Sequence, residues 1–177
     1  MKTYAGIGSR QTPPDILSLM SLTAKALAID GYTLNTGACK GADQAFAEGA
    51  VSSNGNVNLM LPWNTYEAGW SIGIAHSGTV RTTVFDKAVH GEAEASVDIY
   101  HPAPHRLSQG VRKLHARNYL IVDGVDFIIC WTPGGEITGG TGMALRIAKS
   151  KNIPVYNFGI ENIKQAFIVR LKERNLL

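Results

Sequence analysis

The segment NTGACKGADQAF, residues 35–46, places small residues where an apolar strand gives way to a helix. The preceding YTLN (32–35) is typical of a short buried strand, and ADQAFAEGA (42–50) predicts a helix of small residues. Glycines at such a junction either form a tight turn or leave room for an anion against the backbone. Both interpretations stay open at this point.

The same alternation of strand and helix continues along the chain. Further strands are predicted from apolar runs at 3–8, 57–62, 126–131 and 153–158. Helical spacing predicts helices between them, followed by an amphipathic helix at the end of the chain. We therefore expect a three-layer α/β fold of Rossmann-like type, with a mainly parallel sheet and helices on both faces.

One domain is expected for the whole chain, residues 1–177, interrupted at about 63–110. The interrupting segment has weak periodicity, yet it contains too many aromatic residues for a disordered linker. We expect it to be an insertion above one end of the sheet.

The composition is typical of a cytoplasmic protein and suits the binding of phosphate-bearing ligands. The net charge is +3 and the isoelectric point is near 8.9, which suits an anionic ligand without requiring nucleic acid. No apolar run reaches the roughly 18 to 20 residues of a membrane span. Cys39 and Cys130 are far apart in the sequence and lack CxxC or Cys/His spacing, which predicts separate, reduced thiols in a cytoplasmic protein. The histidines are too scattered to predict a metal site, and we expect neither a metal nor a cofactor.

Three glycine-bearing loops follow predicted strands: GIGSRQTP (6–13), NTGACKGAD (35–43) and TPGGEITGGTG (132–142). Parallel strands end at one edge of a sheet, where ligands bind, and each loop precedes a helix whose first N–H groups attract anions. Neither a complete GxGxxG nor a Walker A motif is present. We expect a phosphate or nucleotide site built by Gly8, Ser9, Arg10, Thr36, Gly37, Lys40, Gly41, Asp43, Gly139, Gly140, Thr141 and Gly142.

GIGSR, NTGACKGAD, LHARN (114–118) and the PGG…GGTG loop together resemble the SLOG superfamily of Rossmann-like proteins. That group includes the DNA-processing protein DprA and the LONELY GUY phosphoribohydrolases, and single-domain phage DprA-like proteins look most similar. The resemblance covers the chain except 63–105. It implies a pocket for a nucleotide-like or ADP-ribose-like molecule, a homodimer, and a place in the host cytoplasm if the protein is phage-encoded.

Several side chains are candidates for contact with such a ligand. The LHARN resemblance implies a role for Arg117 and Asn118, and a guanidinium suits phosphate or ribose well. Trp63 follows one predicted strand and Trp131 ends another, and an indole at such a position can stack on a base.

The residues leave open whether the ligand is cleaved. LONELY GUY enzymes carry a glutamate shortly after the PGGxGT motif, but Gly142, Met143 and Ala144 stand there instead. If the protein is an enzyme, Glu136 or Asp43 would act with Arg117 in its place.

Three functions follow from these residues, in this order. The first is a binding protein that captures a nucleotide or an ADP-ribose-type signal and sequesters it. The second is an N-glycosidase acting on nucleotides or nucleoside phosphates. The third is a DprA-like mediator that would hold single-stranded DNA on the basic stretch 101–117, where no acid occurs, and on the Lys and Arg residues of the terminal helix.

Overall fold

A computed structural model describes residues 2–177, which form a six-stranded sheet between two layers of helices. The strands are β1 (Thr3–Gly6), β2 (Thr33–Thr36), β3 (Val57–Leu61), β4 (Val80–Val84), β5 (Phe127–Cys130) and β6 (Val155–Asn157). The helices are α1 (Pro14–Ile29), α2 (Ala42–Val51), α3 (Ala68–Ala75), α4 (Gly91–Tyr100), α5 (Gln109–Val122), α6 (Gly139–Ser150) and α7 (Glu161–Glu173). Strand order is β4-β3-β2-β1-β5-β6, and every pairing is parallel. This confirms the expected three-layer α/β class.

The two faces of the sheet are covered by different helices. On one face, α1, α2 and α7 pack over Tyr4 and Ile129. On the other, α4, α5 and α6 pack over Ala5 and Ile128, because successive strand residues point to opposite faces. All four of these residues are at most 1% exposed, as in parallel sheets covered on both sides.

Residues 63–110 do not form the insertion above the sheet that we expected. Val80–Val84 pairs in parallel with β3 over five positions and becomes an edge strand of the same sheet, while α4 packs with α5 and α6. The pattern was missed because VRTTV lies at an edge, with Arg81 and Thr82 exposed, and lacks the apolar run of a central strand. Helix α3 is also only eight residues long.

The strand order reverses between β1 and β5, since β1 connects to β2 on one side and β5 connects to β6 on the other. Loops leave the carboxyl ends of these two strands in opposite directions and open a crevice between them. Within residues 2–177, no helix combines the length and the apolar character needed to cross a membrane.

Candidate functional site

A cavity of about 510 Å³ opens at this crevice. Its walls come from the loop after β1, the loop after β2, Tyr66 beyond β3, one side of α5 and the first turns of α6. The lining residues are Ile7, Gly8, Ser9, Arg10, Gln11, Cys39, Asp43, Tyr66, Val111, Leu114, His115, Arg117, Asn118, Gly140, Thr141 and Ala144.

The cavity brings together about half of the residues expected from the sequence. Those in its lining are Gly8, Ser9, Arg10, Asp43, Arg117, Asn118, Gly140 and Thr141. Outside the lining lie Thr36, Gly37, Lys40, Gly41, Trp63, Trp131, Glu136, Gly139 and Gly142. Cys39, Tyr66 and His115 also line the cavity and were not among the residues expected from the sequence. For His115 a signal existed, because Val111, Leu114, His115 and Asn118 recur at the spacing of one helix face.

The floor of the cavity is a buried ion pair between Asp43 of α2 and Arg117 of α5. The distance from Arg117 Nη1 to Asp43 Oδ2 is 3.4 Å, and the two side chains are 2% and 6% exposed. Arg117 Nη2 also donates to Cys39 Sγ at 3.3 Å, and the Cys39 N–H donates to Asp43 Oδ2 at 3.2 Å. Burial raises the pKa of the Asp43 carboxyl, and the adjacent Arg117 charge limits that rise. The guanidinium is therefore held in place by two residues of the NTGACKGAD loop.

The position of Gly37 explains much of why the NTGACKGAD loop has so few large side chains. A Cβ atom there would overlap Arg117 Nη1, would press on Asp43 Oδ2 and would lie 2.7 Å from Arg117 Cζ. Gly37 is buried and lies outside the cavity lining. The absent side chain thus leaves room for a guanidinium of the protein itself, whereas the sequence suggested a ligand.

Thr36 has a similar internal role, since its hydroxyl donates to the Gly6 carbonyl oxygen at 2.6 Å and is buried. This bond ties the end of β2 to the end of β1, so that the first two loops leave the sheet together. Gly41, with φ of 91°, brings the second loop against the first, because a Cβ there would lie 3.2 Å from the Ser9 carbonyl oxygen.

Cys39 and Tyr66 complete the side of the floor nearest β3. The Tyr66 hydroxyl lies 3.1 Å from Cys39 Sγ. Burial, together with the nearby Asp43 charge, raises the pKa of the Cys39 thiol, so it stays protonated and weakly nucleophilic near neutral pH. Tyr66 also packs edge-on against Trp63, with ring centroids 5.1 Å apart. Tyr66, rather than Trp63, is the aromatic residue that lines the cavity.

Trp131, the other expected stacking residue, packs partly buried against the core cluster between the sheet and α1 and α2. It follows β5, but its side chain turns to the face of the sheet. Neither tryptophan is in the lining, so stacking of a base on these indoles would require their side chains to move.

Free backbone N–H groups gather on the wall formed by the loop after β1. Among the described residues, none accepts a hydrogen bond from the N–H of Gly8, Ser9 or Arg10. The loop is held in this shape from below, because the Thr12 N–H and hydroxyl both donate to the Ser9 carbonyl oxygen, at 3.2 and 2.7 Å. Donors without a protein partner are available to an anion in the cavity.

The first turn of α6 supplies a second group of such donors beside the first. The opening N–H groups of a helix have no partner within the helix, and the helix dipole makes that end positive. Asn118 Nδ2 donates to the Gly140 carbonyl oxygen at 3.3 Å and fixes α5 against this turn. A Cβ at Gly140 would meet no atom within 4 Å, so the wall is open here.

The loop between β5 and α6 is anchored by Asn157 of β6. Asn157 Nδ2 donates to Thr132 Oγ1 at 2.7 Å, and Asn157 Oδ1 accepts from the N–H groups of Thr132 at 3.1 Å and Gly159 at 2.9 Å. Glu136, further along this loop, is exposed and does not line the cavity. Asp43 is therefore the carboxylate that a ligand in the cavity would meet.

Fewer basic side chains of the stretch 101–117 are free of ion pairs than its sequence suggests. Arg112 pairs with Glu94 at 2.5 Å and with Asp98 at 2.6 Å, both supplied by α4. Arg117 forms an ion pair with Asp43. The acids absent from the stretch itself therefore come from neighbouring elements.

Over residues 2–177, no group of three His, Cys, Asp or Glu side chains is close enough to hold a metal ion. The polar groups of the cavity are mainly hydrogen-bond donors, which suit an anion better than a cation.

No protein-family model matches this sequence, and no curated protein matches it significantly. Solved structures do share its fold. DNA processing protein A from Helicobacter pylori has a TM-score of 0.63 at 17% identity, covering 97% of this chain and 81% of that one. The Moco carrier protein of Chlamydomonas rheinhardtii has a TM-score of 0.56 at 15% identity, covering 97% and 85%. The structure of TM1055 has a TM-score of 0.52 at 18% identity, covering 88% and 72%. At these identities the likeness shows a common Rossmann-like fold.

Proposed function

We propose that this protein binds a phosphorylated, nucleotide-derived small molecule in the cavity at the carboxyl edge of the sheet, and that it holds the molecule without cleaving it. The observation that carries this proposal is the convergence of two sets of free N–H groups on one cavity. They come from Gly8–Arg10 and from the first turn of α6. Arg10 lines the same cavity and adds a positive charge.

The size of the cavity supports a ligand of this class. A volume of about 510 Å³ lies within the roughly 300 to 1,000 Å³ typical of small-molecule sites. Val111, Leu114 and Ala144 give part of the lining an apolar character. A phosphate at the loop after β1 and a less polar moiety against α5 would use both kinds of wall.

Holding is favoured over hydrolysis by the state of the carboxylate. Asp43 is buried, pairs with the Arg117 guanidinium and accepts a hydrogen bond from the Cys39 N–H. An acid fixed in this way has little freedom to approach a glycosidic bond or to orient a water molecule. This supports a protein that sequesters its ligand, including an ADP-ribose-type signal.

The second candidate, an N-glycosidase, is favoured by one observation. Asp43 lies in the cavity and burial raises the pKa of its carboxyl, as is common for acids at catalytic sites. Free base released from AMP by wild-type protein, and not by Asp43→Asn, would support this reaction.

Binding of single-stranded DNA is the third candidate, and the fold likeness to a protein described for its single-stranded DNA binding mode suggests it. Arg112 and Arg117 are engaged in ion pairs, which leaves fewer basic groups of 101–117 for a phosphate backbone. A DNA complex with several phosphate contacts would weaken steeply with salt.

Membership of the SLOG superfamily, a phage origin, a cytoplasmic location and a homodimer stay predictions from the sequence. They are compatible with the proposed pocket and do not carry it.

Two measurements test the proposed function. Mass spectrometry of small molecules released by denaturing the purified protein should detect an intact nucleotide-type compound. Calorimetry should show binding of AMP or ADP-ribose without release of free base. If no phosphorylated compound is released and neither probe binds, the proposal is wrong.

A matched pair of variants locates the binding site. Gly140→Asp places a carboxylate on the second residue of α6, at the cavity wall, and Gly110→Asp places one at the same position of α5, outside the lining. A Cβ at either glycine meets no atom within 4 Å, and an acid near a helix N-terminus is stabilising. Both variants should therefore fold. We expect Gly140→Asp to weaken binding by about tenfold or more, from charge repulsion of about 1.4 kcal/mol or more, and Gly110→Asp to bind as wild type. Equal binding by the two would exclude this wall.

A further inference from the structure

One face of α5 forms a wall of the cavity that carries no formal charge. Val111, Leu114, His115 and Asn118 recur at intervals of three and four residues and all line the cavity. The loop after β1 and the first turn of α6, which adjoins α5 at Asn118, form the other side of the lining, with their free N–H groups. The two sides thus offer different chemistry to a ligand.

His115 is the polar group in the middle of the α5 wall. It is 9% exposed, and its Nδ1 atom is buried without a hydrogen-bond partner. Nε2 also has no hydrogen-bond partner among the described residues, but unlike Nδ1 it is not fully buried. Of the two ring nitrogens, Nε2 is therefore the one with exposed surface, and His115 lines the cavity.

The surroundings of His115 disfavour a positive charge on its ring. The His101 ring, beyond the end of α4, lies edge-on with centroids 4.6 Å apart, and its Nδ1 accepts from the Ala103 N–H. Arg117 on α5 and Arg146 on α6 are the cations that act on the ring, and the acid in this cavity, Asp43, is already paired with Arg117. Burial and these neighbours lower the pKa of His115 to about 4.

The buried Nδ1 also selects the tautomer. A proton on Nδ1 would be a buried N–H donor with no acceptor, which is rarer in proteins than an under-satisfied acceptor. The proton therefore belongs on Nε2, where it points to the open side of the ring.

We propose that His115 is a specificity-determining residue that presents a neutral Nε2–H donor to the base of the bound nucleotide, while the phosphate lies against the loop after β1 and α6. The base would then pack on Val111 and Leu114, with a carbonyl oxygen or ring nitrogen accepting from Nε2. This assignment rests on the proposed function, which it deepens by giving the base and the phosphate separate walls.

Nuclear magnetic resonance of the unliganded protein tests the protonation state without any ligand. The ¹⁵N shifts of the His115 ring should report the Nε2–H tautomer at pH 7 and show no titration down to about pH 5. An Nδ1–H tautomer, or an imidazolium at pH 7, would overturn the assignment.

Calorimetry with AMP and with ribose 5-phosphate, which lacks the base, tests the contact. His115→Leu removes the donor, whereas His115→Gln retains an N–H near the position of Nε2. We expect His115→Leu to bind AMP about 3- to 10-fold more weakly, the loss of one neutral hydrogen bond. Its affinity for ribose 5-phosphate should be unchanged, and His115→Gln should bind both probes as wild type.

The outcomes separate this proposal from the function on which it rests. An equal loss for AMP and ribose 5-phosphate in His115→Leu, or unchanged affinity for both, would show that His115 does not contact the base. If neither probe binds wild-type protein, the contact with the base fails, whereas the proposed function fails only if ADP-ribose also does not bind and no phosphorylated compound is released. The resonance spectrum still decides the tautomer in that case.

Discussion

Gly37→Ala should be among the most damaging single-methyl additions to this protein. The new Cβ would lie 2.7 Å from Arg117 Cζ and would overlap Nη1. The guanidinium cannot step aside without leaving Asp43 Oδ2, at 3.4 Å, and Cys39 Sγ, at 3.3 Å. Since the side chains of Arg117 and Asp43 are only 2% and 6% exposed, little of either charge can be solvated in place of the lost partners.

The expected loss of stability comes from breaking the buried Asp43–Arg117 ion pair rather than from the added methyl group itself. Separating buried charges in this way costs about 3 to 5 kcal/mol. In a chain of this length, such a loss lowers the unfolding midpoint by roughly 6 to 20 °C.

Urea and thermal unfolding followed by circular dichroism measure this cost. Gly110→Ala is the matched control, because a Cβ there meets no atom within 4 Å and alanine favours a helix. It should be neutral or slightly stabilising. The decisive comparison repeats Gly37→Ala in a protein that also carries Asp43→Asn and Arg117→Met, where no buried charge is left to separate.

In that background the methyl group should cost less than about 1 kcal/mol, giving a coupling energy of about 2 kcal/mol or more. If Gly37→Ala costs the same with and without the ion pair, or costs little in the wild-type protein, then position 37 does not lack a side chain for the sake of Arg117. The lack of large side chains in the NTGACKGAD loop would then need another cause.

Two further changes test other parts of the site. Asn157→Leu leaves the Thr132 and Gly159 N–H groups without their acceptor and should cost about 3 kcal/mol in urea unfolding; a cost no greater than that of the exposed control Asn162→Leu would contradict this. His115 should also contribute a fall in the free energy of unfolding as the pH falls from 6.5 towards about 4, because burial and His101 lower its pKa and the unfolded chain takes up the proton first. At about 1.36 kcal/mol per pKa unit the loss is up to about 3 kcal/mol, and an unchanged slope in His115→Gln would refute it.

The sheet could be predicted from the sequence wherever its strands are covered on both faces. Runs such as FIIC at Phe127–Cys130 are apolar throughout because both sides are buried. β4 escaped prediction for the complementary reason. It is an edge strand with exposed Arg81 and Thr82, and its place depends on pairing with β3, which its own residues do not encode.

The site was predictable where its chemistry belongs to the backbone. Glycine-bearing loops after parallel strands identified the walls that contain Ser9 and Gly140. Side-chain pairings were not predictable, since Asp43 and Arg117 are 74 residues apart and Arg112 finds its acids on another helix. The sequence singled out Arg117, but only the fold shows that its guanidinium is packed over Gly37.

The anion that the cavity prefers depends on which of its attractive groups belong to the backbone and which belong to side chains. Among the lining residues that the structure describes, the charged ones are Arg10, Asp43 and Arg117, and the last two neutralise each other. Attraction for an anion therefore comes from one exposed arginine and from fixed N–H dipoles, which act at short range and depend on shape. Such a site favours one well-placed phosphate group over a chain of them, because further phosphates would meet no further charge at these walls. We therefore expect AMP affinity to depend weakly on salt, whereas a DNA site would lose affinity steeply.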